Sequence, residues 1–144
     1  MSLSDVEVEE FMEKGLLKIS PFIQEHLNPA GYDLTSLRGF ELKPSEQMLA
    51  ATVERVELGL EVLGILHIRS SLAREGLFAS LALVDPGFRG QLTVSLFNAG
   101  KKMVKIERDE RFIQISFVRL GDRARKGYGG RYQESEGVVR SRRS

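Results

Sequence analysis

The chain has 144 residues, of which 42% are apolar and 28% are charged, with a net charge of +1 and no cysteine. This balance excludes a disordered chain, and the length predicts a single domain. The lack of cysteine excludes disulfides, thiolate catalysis and cysteine-ligated zinc. Because no apolar stretch is long enough to span a membrane and the acidic N-terminus lacks a secretory signal, we expect a cytoplasmic protein.

The N-terminal residues predict one short helix. Ser4 is a suitable N-cap before the sequence DVEVEEFMEKG, whose early acidic residues suit the positive end of a helix dipole. Gly15 can end this helix, and Pro21 and Pro29 argue against a long helix in the stretch that follows.

The rest of the chain has the pattern of short β-strands. Alternating apolar and polar residues predict strands at 92–97 and 112–118, and apolar runs predict buried strands at 48–53 and 62–68. Turn-forming sequences such as DPGFRG and NAGKK separate these segments. Many short strands at this spacing favour an antiparallel sandwich or barrel.

Two arginines and two serines lie within the six residues RSSLAR, at 69–74. The planar guanidinium groups of Arg69 and Arg74 suit phosphate oxygens, and the hydroxyls of Ser70 and Ser71 add further hydrogen-bond donors. The segment is therefore a candidate phosphate site. A surface arginine pair with helix-capping serines is the simpler alternative when these residues are considered by themselves.

Two aspartates lie where a carboxylate could serve either structure or chemistry. Asp85 begins the turn sequence DPGFRG, where it could initiate the turn or lie beside a reacting water molecule. Phe88 in the same turn is either a core residue or a ring on which a sugar packs. Asp33, in AGYDL, is either a turn residue or an acid that faces a cleft.

The C-terminal region differs in composition from the rest. Residues 123–144 are rich in glycine and carry seven arginines and lysines against two glutamates. We expect one domain over residues 1–122 and a mobile C-terminal arm over residues 123–144. The basic residues of this arm are compatible with a solvated tail or with phosphate contacts, while binding to nucleic acid is a weaker option.

Five sequence blocks resemble a known enzyme superfamily in their order and spacing. They read AGYDL, IRSSLAREG, VDPGFRGQLTVSLFN, ERFIQISFVRL and GGRYQESEG, and they cover about residues 28–137. Together they resemble the trimeric dUTPases and dCTP deaminases, and RSSLAR with DPGFRG is most similar to the deaminase-like branch, which includes archaeal-type dUTPases. The resemblance implies a distorted, jelly-roll-like antiparallel β-barrel that forms a homotrimer, with active sites built from more than one subunit and an arm that closes over the nucleotide.

The resemblance also implies roles for individual residues. Asp85 would position and activate the attacking water, and Phe88 would pack against the deoxyribose. Strand residues Thr93 and Val94 would read the base, largely through their backbone, and Asp33 would belong to the environment of magnesium and the triphosphate. The residues that would face the phosphates are Arg69, Ser70, Ser71, Arg74 and Gln114. The arm residues that would contact the base or the terminal phosphates are Arg131, Tyr132, Gln133 and Ser135.

The residue at position 95 distinguishes the two reactions of the superfamily. The deaminases carry a proton-shuttling glutamate ten residues after the matched aspartate, and this chain has Ser95 there. Loss of a general acid–base group typically costs about 10²–10⁴ in rate. The sequence therefore predicts a dUTP diphosphatase that uses Mg²⁺, and it names no direct protein ligand to the metal. A dCTP deaminase or bifunctional enzyme is the first alternative, and a nucleotide-binding module without activity is another.

Two positions depart from the pattern of the superfamily. Phe88 replaces the tyrosine that is usual in dUTPases. Glu134 stands where close relatives often carry glycine, so its negative side chain would have to point away from a bound triphosphate.

Overall fold

The computed structural model describes residues 1–80 and 82–143. Its helical segments are α1 (Asp5–Glu13), a 3-10 turn (Gln24–His26) and α2 (Ser70–Arg74). Its strands are β1 (Leu17–Ser20), β2 (Leu27–Asn28), β3 (Gly31–Thr35), β4 (Phe40–Leu42), β5 (Gln47–Leu58), β6 (Val62–Ile68), β7 (Leu77–Ala79), β8 (Leu83–Val84), β9 (Arg89–Asn98), β10 (Val104–Ile106) and β11 (Arg111–Arg119). Within the described part of the chain, none of the helices has the length and apolar character needed to cross a membrane.

The predicted N-terminal helix is confirmed as α1. Ser4 caps it, because its hydroxyl accepts a hydrogen bond from the Glu7 backbone N–H at 3.3 Å. The Glu7 carboxylate accepts one from the Ser4 N–H in return, at 2.8 Å. Val8 and Phe11 bury one face of the helix, and Gly15, with a φ of 71°, follows its C-terminal end.

The strands form three antiparallel sheets, in the orders β1-β5-β9-β7, β10-β4 and β2-β3-β11-β6-β8. The expected mainly β, antiparallel architecture is confirmed, although the sheets do not close into one continuous barrel. The edge strands β2, β7 and β8 have only two or three residues each. Such short edges leave few backbone groups to pair with a neighbouring sheet.

The four predicted strands are confirmed, since they fall within β5, β6, β9 and β11. Burial along the long strands follows the predicted period of two. Along β9 the buried apolar residues are Leu92, Val94 and Leu96, and along β11 they include Ile113, Ile115 and Phe117. Alternate residues of β9 and β11 therefore build the core and leave the other residues for the surface.

A buried acid links two of the sheets. Glu54 in β5 is 1% exposed and faces Thr35 in β3, which belongs to another sheet. The Thr35 hydroxyl donates to its carboxylate at 2.6 Å, and the Thr35 backbone N–H donates at 2.9 Å. Burial raises the pKa of Glu54, and the hydrogen bonds from Thr35 oppose that rise.

Candidate functional site

A cavity of about 260 Å³ lies between β8, the turn that follows it, β9 and the C-terminal arm. The predicted site residues that line it are Asp85, Phe88, Thr93, Tyr132 and Ser135. These residues come from segments up to 50 positions apart, as Asp85 and Ser135 show. One carboxylate, several hydroxyls and aromatic rings thus converge on one concave surface, which is the usual composition of a small-molecule site.

The turn after β8 places Asp85 at this cavity. Val84, the last residue of β8, pairs with Gly64 of β6, and the Phe88 N–H then donates to the Asp85 carbonyl at 3.1 Å. Gly87 within the turn has a φ of 84°, and a Cβ there would lie 2.5 Å from the Cα of Gly127. Glycine is therefore required for the arm to pass so close, and the side chain of Asp85 remains exposed.

Aromatic side chains form the apolar wall of the cavity. Phe88 is 7% exposed, and its ring meets that of Tyr128 edge to face, with centroids 5.8 Å apart. The Tyr128 hydroxyl accepts a hydrogen bond from the Tyr132 N–H at 3.2 Å. This wall offers both apolar surface and hydroxyl groups to a ligand. Tyr128 is a lining residue that the sequence interpretation missed, although it belongs to the glycine-rich start of the arm.

The arm is attached to the chain next to the Asp85 turn. The Gln133 side chain donates to the carbonyls of Gly87 and Tyr128, both at 2.9 Å, and accepts from the Arg89 N–H at 2.7 Å. Ser135 forms a parallel bridge with Gly90 at the start of β9. The Gln133 amide is thus committed to holding the arm, while Ser135 reaches the cavity itself.

The predicted base-reading strand also contacts the arm. Gln91 accepts a hydrogen bond from the Gly137 N–H at 2.6 Å, and the Thr93 hydroxyl accepts one from the Val139 N–H at 3.0 Å. Val94 is 0% exposed, so only its backbone is available for recognition. The sequence interpretation missed Gln91, although it precedes Thr93 by two residues and therefore lies on the same face of the strand.

A second polar cluster surrounds Asp33, which is 3% exposed in β3. Its carboxylate lies 3.4 Å from the Arg69 Nε and 3.7 Å from an Arg111 Nη. Asp33 thus pairs with two guanidinium groups and holds them in place. Nothing in the sequence pattern connects Arg111 with Asp33, because only the pairing of β11 with β3 brings them together.

The predicted phosphate-binding residues gather around this second cluster. Gln114 in β11 is in register with Asp33, and Arg69 immediately precedes α2. Ser70, Ser71 and Arg74 are exposed on α2, and the Arg74 guanidinium donates to the Ser70 carbonyl at 3.2 Å. We call this set of residues, together with Asp33 and Arg111, the arginine cluster. Its guanidinium groups, hydroxyls and amide offer several hydrogen-bond donors, which suits a polyanion.

Arg131 belongs to neither group of residues. It is exposed, and its guanidinium donates to the Arg142 carbonyl at 2.6 Å. The Arg142 guanidinium donates to the Arg131 carbonyl at the same distance, and the Arg142 N–H donates to the Tyr132 hydroxyl at 3.0 Å. This exchange keeps the basic end of the arm close to Tyr132 at the cavity.

The turn that carries Asp85 and the arginine cluster lie toward opposite ends of β6, although Leu66 of this strand also lines the cavity. Val84 pairs with Gly64 near the start of the strand, whereas Arg69 follows its last residue. Five residues of extended chain span about 16 Å. In the described part of the chain, the cavity lining includes none of Arg69, Arg74 and Gln114. A single chain therefore does not bring all of the predicted site residues together.

Comparisons with known proteins agree with this architecture. The family model described as dCTP deaminase-like matches residues 36–120. A dCTP deaminase of Thermococcus gammatolerans is 44% identical, over 92% of this chain and 93% of its own length. A dUMP-forming dCTP deaminase of Aquifex aeolicus is 34% identical, over 99% of this chain and 94% of its own length.

Solved structures of dUTPases share the fold. The dUTPase of Staphylococcus bacteriophage 80alpha with dUpNHpp has a TM-score of 0.63 at 19% identity, covering 83% of this chain and 95% of its own. A variant dUTPase of phage phi11 of S. aureus, which coordinates a structural Mg(II) ion, has a TM-score of 0.62 at 17% identity, covering 81% and 98%. The resemblance seen in the sequence is confirmed, and the chain belongs to the dCTP deaminase-like family within the superfamily of dUTPases and dCTP deaminases.

Proposed function

We propose that the protein is a dUTP diphosphatase, which hydrolyses dUTP to dUMP and pyrophosphate. The observation that carries this proposal is the environment of Ser95, which stands where a deaminase would have its acid. The Ser95 hydroxyl accepts a hydrogen bond from the Gln47 side chain at 2.8 Å, and its N–H donates to the Ser80 hydroxyl at 3.3 Å. Neither partner is an acid or a base that could shuttle a proton to a cytosine amine.

Asp85 is the residue that would activate the attacking water. Its carboxylate is exposed at a cavity whose other polar groups are mainly hydroxyls. An ionised carboxylate there can accept a proton from water as the oxygen attacks the α-phosphorus. Phe88 and Tyr128 would hold the sugar against the apolar wall, so that the α-phosphate lies next to Asp85.

Magnesium would be carried mainly by the substrate. Among the described residues, no three acidic or histidine side chains gather as metal ligands, and Asp33 is already paired with Arg69 and Arg111. These residues fit an ion that binds phosphate oxygens and keeps several of its waters. Such an ion offsets negative charge on the phosphates.

We propose that the complete site is shared between subunits of a homotrimer. Within one chain the turn after β8 lies about 16 Å from Arg69 along β6, which is too far for groups that must contact neighbouring phosphates of one nucleotide. The arginine cluster that serves a given cavity would therefore belong to a neighbouring subunit. In this arrangement the guanidinium groups and the serines meet the phosphates while Asp85 faces the α-phosphorus.

We also propose that the C-terminal arm, residues 123–144, moves during turnover, while residues 1–122 remain one domain. The arm segment 137–139 covers polar groups of Gln91 and Thr93, which lie at the cavity. A nucleotide base that forms hydrogen bonds with this strand has to share or displace those contacts. The arm would open to admit the nucleotide and then close over it.

A second candidate function is dCTP deamination, alone or coupled to dUTP hydrolysis. The names of the Thermococcus and Aquifex relatives favour it, since both are dCTP deaminases and the second forms dUMP. This candidate function requires another acidic side chain to act in place of the glutamate that is absent at position 95.

Product analysis with dUTP and dCTP side by side, each with Mg²⁺, tests the proposal. We expect dUMP and pyrophosphate from dUTP and no ammonia from dCTP. The Ser95→Ala variant should retain the dUTP reaction, because the proposal gives this hydroxyl no catalytic role. Ammonia release from dCTP would instead support a deaminase, and tight nucleotide binding without any product would support a non-catalytic module.

A further inference from the structure

The C-terminal arm contains one acid in an unusual backbone conformation. Glu134 has a φ of 60°, in the left-handed region that glycine adopts readily and other residues rarely adopt. Its position is the one at which the family resemblance leads us to expect glycine. A residue other than glycine persists in this conformation only when its surroundings hold it there, and such residues concentrate at functional sites.

Two arginines hold the Glu134 side chain. Arg55 of β5 donates a hydrogen bond to one carboxylate oxygen, and the Arg89 Nε of β9 donates to the other at 2.9 Å. The Glu134 backbone N–H also donates to the Arg89 carbonyl at 2.8 Å. The hydrogen bond from Arg55 lowers the pKa of Glu134, so the side chain stays ionised at neutral pH. The carboxylate therefore joins the arm to two adjacent strands of one sheet.

The two neighbours of Glu134 connect this contact to the cavity. Ser135 lines the cavity and is 7% exposed. Gln133 binds the carbonyl of Gly87 and the N–H of Arg89, which belong to the turn after Asp85 and the start of β9. Release of Glu134 would therefore loosen both the arm that covers the cavity and the contacts that attach it to the Asp85 turn.

We propose that Arg55, Arg89 and Glu134 form an ionic latch that holds the arm closed over the Asp85 cavity. Glu134 is then a positioning residue, which acts through Gln133 and Ser135 and does not touch the reacting atoms. The role of the latch in turnover rests on the proposed function, whereas its effect on the arm does not. Because the latch is partly exposed, salt should weaken it and favour the open arm.

Amide hydrogen exchange of the nucleotide-free protein tests the latch directly. Glu134→Gln should speed exchange of the Gly137 and Val139 amides by about fivefold, because the arm opens more often without the ion pairs. The matched control is Glu136→Gln, which removes the same charge from the same arm. Within the described residues Glu136 forms no ion pair and acts on Arg55 only through longer-range charge, so the control should change exchange much less than Glu134→Gln does.

Salt dependence and a double substitution test whether the ion pairs of Glu134 hold the arm, or whether the substitution simply disturbs the local structure. Between about 0.05 M and 0.5 M NaCl, exchange of the arm should quicken in the wild type and change little in Glu134→Gln. Arg55→Gln should also speed exchange, and adding it to Glu134→Gln should give less than the product of the two single effects. Equal exchange in the wild type and Glu134→Gln, or an equal effect of Glu136→Gln, would overturn the latch.

Turnover provides a separate readout if dUTP is hydrolysed. Glu134→Gln should raise KM for the nucleotide several-fold and change kcat by a smaller factor, because the chemical groups at the cavity are intact. A protein that hydrolyses no dUTP but shows the predicted exchange pattern would refute the proposed function and retain the latch. A protein that hydrolyses dUTP, but whose Glu134→Gln variant shows unchanged exchange, would retain the proposed function and refute the latch.

Discussion

The Asp85 cavity and the arginine cluster each contain an aspartate, but the two carboxylates are held in opposite ways. Asp85 is exposed, and within the described residues it forms no ion pair. Asp33 is 3% exposed and lies between Arg69 and Arg111. An exposed carboxylate can approach a water molecule, whereas a buried one that is paired with two cations orients them. The comparison shows how environment separates a proposed catalytic acid from a proposed positioning acid.

The largest expected effect concerns Asp85. Asp85→Asn keeps the size of the side chain but removes its basicity, so kcat for dUTP should fall by about 10²–10⁴. Pyrophosphate release at saturating dUTP measures the loss. Nucleotide binding and the thermal unfolding transition should remain close to those of the wild type.

Asp33→Asn is the matched control for this prediction, because the chemical change is identical. It weakens the hold on Arg69 and Arg111, so it should act mainly on KM. If Asp33→Asn reduced kcat as much as Asp85→Asn, the distinction between the two aspartates would be wrong.

A smaller effect is expected at Glu54, which is buried but belongs to neither half of the proposed site. Glu54→Ala leaves the Thr35 hydroxyl and N–H without their acceptor, which should lower the free energy of unfolding by about 1–3 kcal/mol for each unsatisfied group. Urea denaturation of the two proteins measures this difference. At saturating nucleotide, kcat should stay close to the wild-type value.

The pH dependence of stability gives Glu54 a distinct signature. Because burial raises the pKa of Glu54 in the folded state, the folded protein binds this proton more tightly than the unfolded chain. The contribution of Glu54 to stability is then complete below its unfolded pKa and is lost as pH rises through the folded pKa. As pH rises over that range, the free energy of unfolding of the wild type should fall relative to that of Glu54→Gln. A difference between the two proteins that does not change with pH would contradict the raised pKa of Glu54.

Much of the fold could be predicted from local sequence patterns. The capping residues around Ser4 and the alternation of apolar residues along β9 and β11 depend on neighbours in sequence, and the structure follows them closely. The division into three sheets could not be predicted in this way. It depends on where very short edge strands such as β7 and β8 stop pairing, which no local period reveals.

Residues of one sequence motif were predicted to lie together, whereas other contacts at the candidate site depend on pairing between distant parts of the chain. Asp85 and Phe88 belong to one turn sequence and line the same cavity. The pairing of Arg111 with Asp33 and that of Glu134 with Arg55 join residues 78 and 79 positions apart, and the sequence offers no local sign of either. Glu54 could have been found, because it shares the buried phase of β5 with Val56 and Leu58.

Mixing two inactive variants tests the central claim most directly, since the account requires a site that combines Asp85 of one subunit with the arginine cluster of another. One variant is Asp85→Asn, and the other is Arg74→Glu, which reverses an exposed charge on α2. Each alone should be nearly inactive toward dUTP. After subunit exchange in an equal mixture, about one quarter of the sites should combine the two intact halves and regain hydrolysis. Mixed oligomers that stay inactive would contradict the account, and so would full activity of either variant by itself.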